Sequence, residues 1–176
     1  MHKLHVVFVI VTLSGGASLS AQHSSMPAGI SHDEHLRQMQ ADEALKRRGA
    51  LAMGFDQDKT THHFLLLKSG GAIVVTAIGA QDAESIAQVR THLREIAAAF
   101  GIGSFDKPLA THAELPPGAA VMAANASKIE YRYEEREAGG AVVVESRDAV
   151  TLAAIHEFLR YQIVEHKTGD PLTPQN

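Results

Sequence analysis

The sequence has no cysteine and no tryptophan, and only three tyrosines and six phenylalanines in 176 residues. Without thiols there is no disulfide, no thiolate metal site and no cysteine nucleophile. The chain therefore depends on its apolar core for stability. Several signatures are also missing. There is no P-loop, no Gly-rich dinucleotide fingerprint, no Gly-x-Ser-x-Gly elbow and no His-Glu-x-x-His. Nothing places a nucleophile beside a base, so an enzyme is the weakest functional class. Basic charge is in short supply too. The net charge is −4, which disfavours a nucleic-acid partner.

Leu4 to Leu13 is an apolar run of ten residues, too short to span a bilayer. With Lys3 before it and Ser14-Gly15-Gly16-Ala17-Ser18-Leu19-Ser20-Ala21 after it, this reads as a signal peptide over 1–21, cut after Ala21. The expectation is an exported protein, periplasmic or secreted, with no membrane segment after cleavage. Loss of Lys3 leaves 15 basic against 20 acidic residues, a net charge of −5.

The rest of the chain is dominated by a repeat. His63 to Val75 contains Gly70-Gly71-Ala72-Ile73-Val74-Val75, and Arg132 to Val144 contains Gly139-Gly140-Ala141-Val142-Val143-Val144. Each copy is followed by a helical stretch opening on Asp-Ala, at Asp82 and at Asp148. The strands match at an offset of 69 and the helices at 66. Tight Gly-Gly turns suit hairpins. Helical spacing places Ile86, Val89, Leu93, Ile96 and Phe100 on one arc, and Leu152, Ile155, Leu159 and Ile163 on another. The reading is α+β: a duplicated ββα unit giving a four-stranded antiparallel sheet with two long helices on one face.

An N-terminal helix is expected from His32 to about Arg48, with Ser31 and Glu34 as a capping box and Gly49 as its end. The division is 1–21 signal peptide, 22–60 linker and N-terminal helix, 61–168 duplicated domain, and 169–176 polar tail. Residues 101–118 read as a long loop.

Strand periodicity and the repeat assign the faces. Ile129, Tyr131 and Tyr133 alternate with Glu130, Arg132 and Glu134. Tyr131 maps to His62 and Tyr133 to Phe64, so His62, Phe64 and Leu66 face the helices. His63, Leu65 and Leu67 face outward, near Val74 and Val143. An outer face this apolar does not stay bare. Either the N-terminal helix covers it or a second copy does, and a homodimer is the preferred reading.

Histidine is what remains for chemistry: nine of the eleven lie beyond residue 21. Neutral imidazole is the commonest metal ligand. In an exported protein without cysteine, His, Met and carboxylate are the available donors for copper or zinc. His62 and His63 are neighbours on a strand and point to opposite faces. His156 lies roughly 40° round the last helix from Leu152, where it meets His62 from the sheet side. His112 sits in the long loop and closes the set, with Met53 or Met122 as a soft donor. His92 reads as packing. His166, ten residues beyond His156 and about 15 Å along the axis, reads as a cation at the helix C-terminus. His32 and His35 lie on a solvated first turn.

Met53-Gly54-Phe55, Thr61-His62-His63-Phe64, Pro116-Pro117-Gly118 and His156-Glu157-Phe158-Leu159-Arg160 through Thr168-Gly169-Asp170-Pro171 resemble a group of small exported bacterial proteins of uncharacterised function. The likeness covers about residues 50–172 and brings no activity or site with it.

The functional reading is an exported protein that binds a transition metal, copper or zinc, through His62, His63, His112 and His156 with Met53, in binding, sensing or delivery. A b-type haem site in the same cleft is one alternative. A non-catalytic dimerising interaction module, with structural histidines, is another.

Overall fold

A computed structural model of the chain describes residues 31–176. The expected signal peptide lies outside the described residues. The architecture is α+β: a four-stranded antiparallel sheet and five helices, one of them N-terminal. Strands β1 (Thr60–Leu67), β2 (Gly70–Ala77), β3 (Ile129–Arg136) and β4 (Gly139–Ser146) lie in the order β1-β2-β4-β3. Helices α2 (Ala83–Gly101) and α5 (Ala149–Glu165) cover one face of the sheet.

The two hairpin-plus-helix segments correspond closely, which is compatible with a duplication. Both long helices are N-capped by an aspartate. Asp82 accepts from the Ser85 N–H at 3.1 Å, and Asp148 from the Thr151 N–H at 3.0 Å. Each helix packs mainly over the other segment's hairpin, α2 over β3 and β4, α5 over β1 and β2. The glycine pairs show why. A Cβ on Gly71 would stand 2.3 Å from Leu159 Cδ1 and 2.3 Å from the Leu65 carbonyl oxygen. A Cβ on Gly140 would stand 3.1 Å from Leu93 Cδ1. The glycines thus admit the leucine of the opposite helix. Gly71→Ala is expected to lower stability by about 1–3 kcal/mol, read as a fall in thermal midpoint. Gly101→Ala, where an added Cβ meets nothing, is the control and should be neutral or slightly stabilising.

The core lies between this sheet face and the helices. Phe100 is 1% exposed and stacks on Phe105 at 4.3 Å, with Tyr131 and Phe158 edge-on at 5.8 Å. Leu66, Val75, Val142, Leu93, Ile155 and Leu159 complete its centre.

Two expectations change. Helix α1 (His32–Met53) passes through Gly49 and ends at Gly54, which takes the left-handed φ of 73°. Gly49 is buried, and the neighbouring Gln57 amide donates to the Lys46 carbonyl at 2.8 Å. The long loop contains helix α3 (Asp106–His112), because Pro108 falls in the first turn, where no helical N–H is needed. A further short helix, α4 (Ala119–Ala124), follows Pro116-Pro117-Gly118.

Helix α1 packs along α3, with Arg48 Nε donating to the Thr111 carbonyl at 2.9 Å. It does not cover the outer sheet face, where Leu65, Ala72, Val74, Ala141 and Val143 form a second, smaller apolar cluster. The polar tail docks on β1. The Gln175 N–H donates to the Leu66 carbonyl at 2.9 Å, and Arg160 Nε holds the Leu172 carbonyl at 2.9 Å.

Candidate metal centre

Strand β1 alternates, so His62 enters the core between Phe55 and Phe64 while His63 faces out. Helix α5 ends at its C-cap, His166, whose ring lies 6.0 Å from that of His62 and nearly parallel to it, at 10°. His112, the last residue of α3, sets its ring 5.1 Å from His166, edge to face at 85°. Three imidazoles from three distant stretches therefore meet, with His166 between the other two. They line a cavity of about 60 Å³ whose walls also carry Met53, His92, Phe64, Phe100, Lys107 and Gln162. That is room for a few water molecules or a small ion.

The protonation of this cluster follows from burial. Desolvation lowers His62 to about 4, assisted by the neighbouring His63. Desolvation lowers His166 to about 3, assisted by His62 and His112. It also lowers His112, although the bond to Gln162 and nearby carboxylates pull the other way. At pH 7 the imidazoles are neutral, the form that binds metals. His112 Nε2 lies 3.1 Å from Gln162 Oε1. A proton on Nε2 donates to that oxygen and leaves the Nδ1 lone pair bare. His112 Nδ1 and His62 Nε2 are buried and have no hydrogen-bond partner.

Ring separation alone is compatible with a shared ion. A metal about 2.0–2.1 Å from a ring nitrogen lies roughly 3.2 Å from the ring centre, so two ligating rings stand at most roughly 6.4 Å apart. The separations of 6.0 and 5.1 Å fall inside that limit. The ring directions are not yet convergent. Among the described residues, no group of three or more His, Cys, Asp or Glu side chains is placed so that it could hold a metal ion as it stands. Near-parallel His62 and His166 need rotation about the side-chain bonds to aim at one point.

The residues singled out from the sequence divide. His62, His112 and Met53 line the cavity. His63 does not: its Nδ1 lies 2.9 Å from Asp170 Oδ1 on the other face, since strand neighbours point apart. His156 does not meet His62. Its Nε2 donates to the Leu67 carbonyl at 2.8 Å, at the end of the β1–β2 hairpin. Arg90, its counterpart in α2, similarly donates to the Arg136 and Gly139 carbonyls of the β3–β4 hairpin. His92 packs edge-on against Phe55 at 5.3 Å, as expected, but its Nδ1 is also buried without a partner.

The missed residue is His166, read as a cation at the helix C-terminus. The repeat carries a signal for it. At the helix offset of 66 it maps to Phe100, one of the most buried side chains in the fold. Its position also depends on the tail. Asp170 accepts from the Phe64 N–H at 3.0 Å, from Thr168 Oγ1 at 2.6 Å and from His63. Burial raises the Asp170 carboxyl, but those bonds from Thr168, Phe64 and His63 outweigh it and hold its pKa below the ordinary value. This clasp ties the chain just after His166 to the strand carrying His62. Asp170→Ala leaves the Phe64 N–H and the Thr168 hydroxyl without their acceptor and is expected to loosen the pair and lower stability by about 1–3 kcal/mol. A fall in thermal midpoint checks it.

No family model matches the sequence, and no curated protein or solved structure matches it. No described helix is long and apolar enough to cross a membrane.

Proposed function

We propose that this protein is an exported binder of a transition-metal ion, copper or zinc, which it holds through His62, His112 and His166 with Met53 at the cavity wall. The observation that carries the reading is the meeting of three neutral imidazoles inside one small cavity, two of them with bare, buried ring nitrogens. Uncompensated buried polar atoms are expensive, and a bound ion would satisfy them. The role is binding, sensing or delivery: the hydroxyl and amine on the cavity wall, Thr111 and Lys107, are engaged with the Lys107 carbonyl at 3.0 Å and with Glu95 at 3.0 Å. The cavity volume suits an ion rather than a porphyrin, so haem ranks below a metal ion. A Soret band on haem addition would reverse that order.

Protein equilibrated with copper and zinc, then desalted, should retain about one ion per chain by elemental analysis. The His62→Ala/His166→Ala variant should lose at least about 100-fold in affinity. Retention of the ion by a folded double variant would end this assignment.

The outer sheet face supports a second reading, a homodimer through the half-buried Leu65 and Val143. Ala72, Val74 and Ala141 between them are already buried within the chain, at 3%, 6% and 0% exposure, and an apolar cluster marks an association surface only where it is exposed. Sedimentation equilibrium distinguishes monomer from dimer, and a Val143→Lys change should dissociate the pair.

A further inference from the structure

We infer that the ion this cavity takes is monovalent copper, Cu(I), in preference to a divalent cation. The inference rests on the metal-binding reading above and deepens it. The donors around the cavity are all uncharged: the imidazoles of His62, His112 and His166, and the Met53 thioether. Among the described residues no aspartate or glutamate lines it. The one ionic side chain among them on its wall is Lys107, a cation, whose ammonium is held by Glu95 at 3.0 Å and reaches the Ala52 carbonyl at 3.4 Å.

A bound ion would therefore keep its full charge in an apolar enclosure formed by Phe64, Ile73, Val75, Leu93, Ile96 and Phe100. The cost of desolvating an ion grows with the square of its charge, so a divalent ion pays roughly four times what a monovalent one does. Anionic ligands (thiolate, carboxylate or a bound hydroxide) often offset that cost for zinc, and among the described residues neither a thiolate nor a carboxylate lines this cavity. Donor type points the same way, because a thioether selects Cu(I) while adding little for zinc. The ring separations are consistent as well, once His62 and His166 rotate to aim at one point. Cu(I) is satisfied by two or three nitrogen or sulfur donors, and His166 has one imidazole on either side. A closed tetrahedral site would need a fourth strong donor.

The test is an anaerobic competition in which the full chain withdraws Cu(I) from a chromophoric Cu(I) chelator, run beside parallel titrations with Zn(II) and Cu(II). The expected result is one Cu(I) per chain, bound at least 100-fold more tightly than Zn(II). His166→Gln, which keeps a neutral polar group at that position, should reduce Cu(I) affinity by at least tenfold while circular dichroism stays unchanged. Zn(II) or Cu(II) bound as tightly as Cu(I), with loss in the His62→Ala/His166→Ala variant, overturns the Cu(I) inference and leaves the metal-binding reading standing. A folded protein that takes none of the three ions overturns both.

Discussion

Metal-free protein taken from pH 7 to pH 4 is expected to unfold, with a midpoint between about pH 4 and 5.5. His62 and His92 are held near 4 and His166 near 3, in each case first by burial. In the unfolded chain each titrates near 6.5. The folded pKa is depressed, and the group is a base that charges on protonation. Below pH 6.5 the unfolded state therefore binds protons that the folded state refuses. Stability from these groups is intact above pH 6.5 and is lost as pH falls toward the folded values. Each such histidine contributes about 1.4 kcal/mol per pH unit in that window. Three together give roughly 2–4 kcal/mol per unit once partial rearrangement of the cluster is allowed. Two pH units therefore remove about 4–8 kcal/mol, enough to unfold a domain in the lower half of the usual range of about 5–15 kcal/mol. Far-ultraviolet circular dichroism against pH reads the transition. His92→Leu, outside the imidazole trio, removes one of the refusing bases and should move the midpoint down. A native spectrum persisting to pH 3 would mean that the rings are not buried as described.

Phe100→Ala is the single substitution expected to weaken the fold most, by about 3–5 kcal/mol. Phe100 is 1% exposed and meets Phe105, Tyr131 and Phe158 through ring contacts of 4.3 to 5.8 Å. Its removal leaves a void that continues into the histidine cavity, since Phe100 lines that cavity too. Aromatic pairs add about 0.5–1.5 kcal/mol beyond area burial, which places this site at the upper end of the range. The thermal midpoint should fall by about 10–20 °C. By contrast, Ile102, at 83% exposure two residues later, should accept alanine with a change within about 0.5 kcal/mol. Equal effects at the two positions would contradict the assigned core.

Much of the fold was legible because it is written in short-range patterns. Alternation along Ile129 to Glu134 fixes which strand positions face the helices, and the repeat carries that assignment to His62 and Phe64. Both assignments hold: Phe64 is 4% exposed, and Tyr131 and Tyr133 pack on the core. Element ends were less legible. Gly49 looks like a helix terminator, but a glycine ends a helix only where the chain turns left-handed, and that happens at Gly54. The α3 segment was hidden by Pro108, which is harmless in a first turn.

The site was legible by residue type and only partly by position. His62, His112 and Met53 reach the cavity, whereas His156 and His63 are spent on hydrogen bonds to Leu67 and Asp170. Helical periodicity correctly places His156 on the sheet-facing side of α5. It says nothing about which point along the sheet the ring reaches, and that point is the hairpin end rather than His62. His166 differs by ten residues along the same helix and lands on the other end of β1, beside His62.

By itself the sequence determined the sheet, the faces of its strands, the two long helices and the stock of neutral donors free of thiols, because each depends on neighbours a few residues apart. Only the tertiary structure decided which imidazoles share a cavity. That depends on the crossing of α5 over β1, on the turn of α3 that carries His112, and on the Asp170 clasp. Those contacts join residues from about 50 to more than 100 positions apart, a range over which no local pattern in the chain carries information.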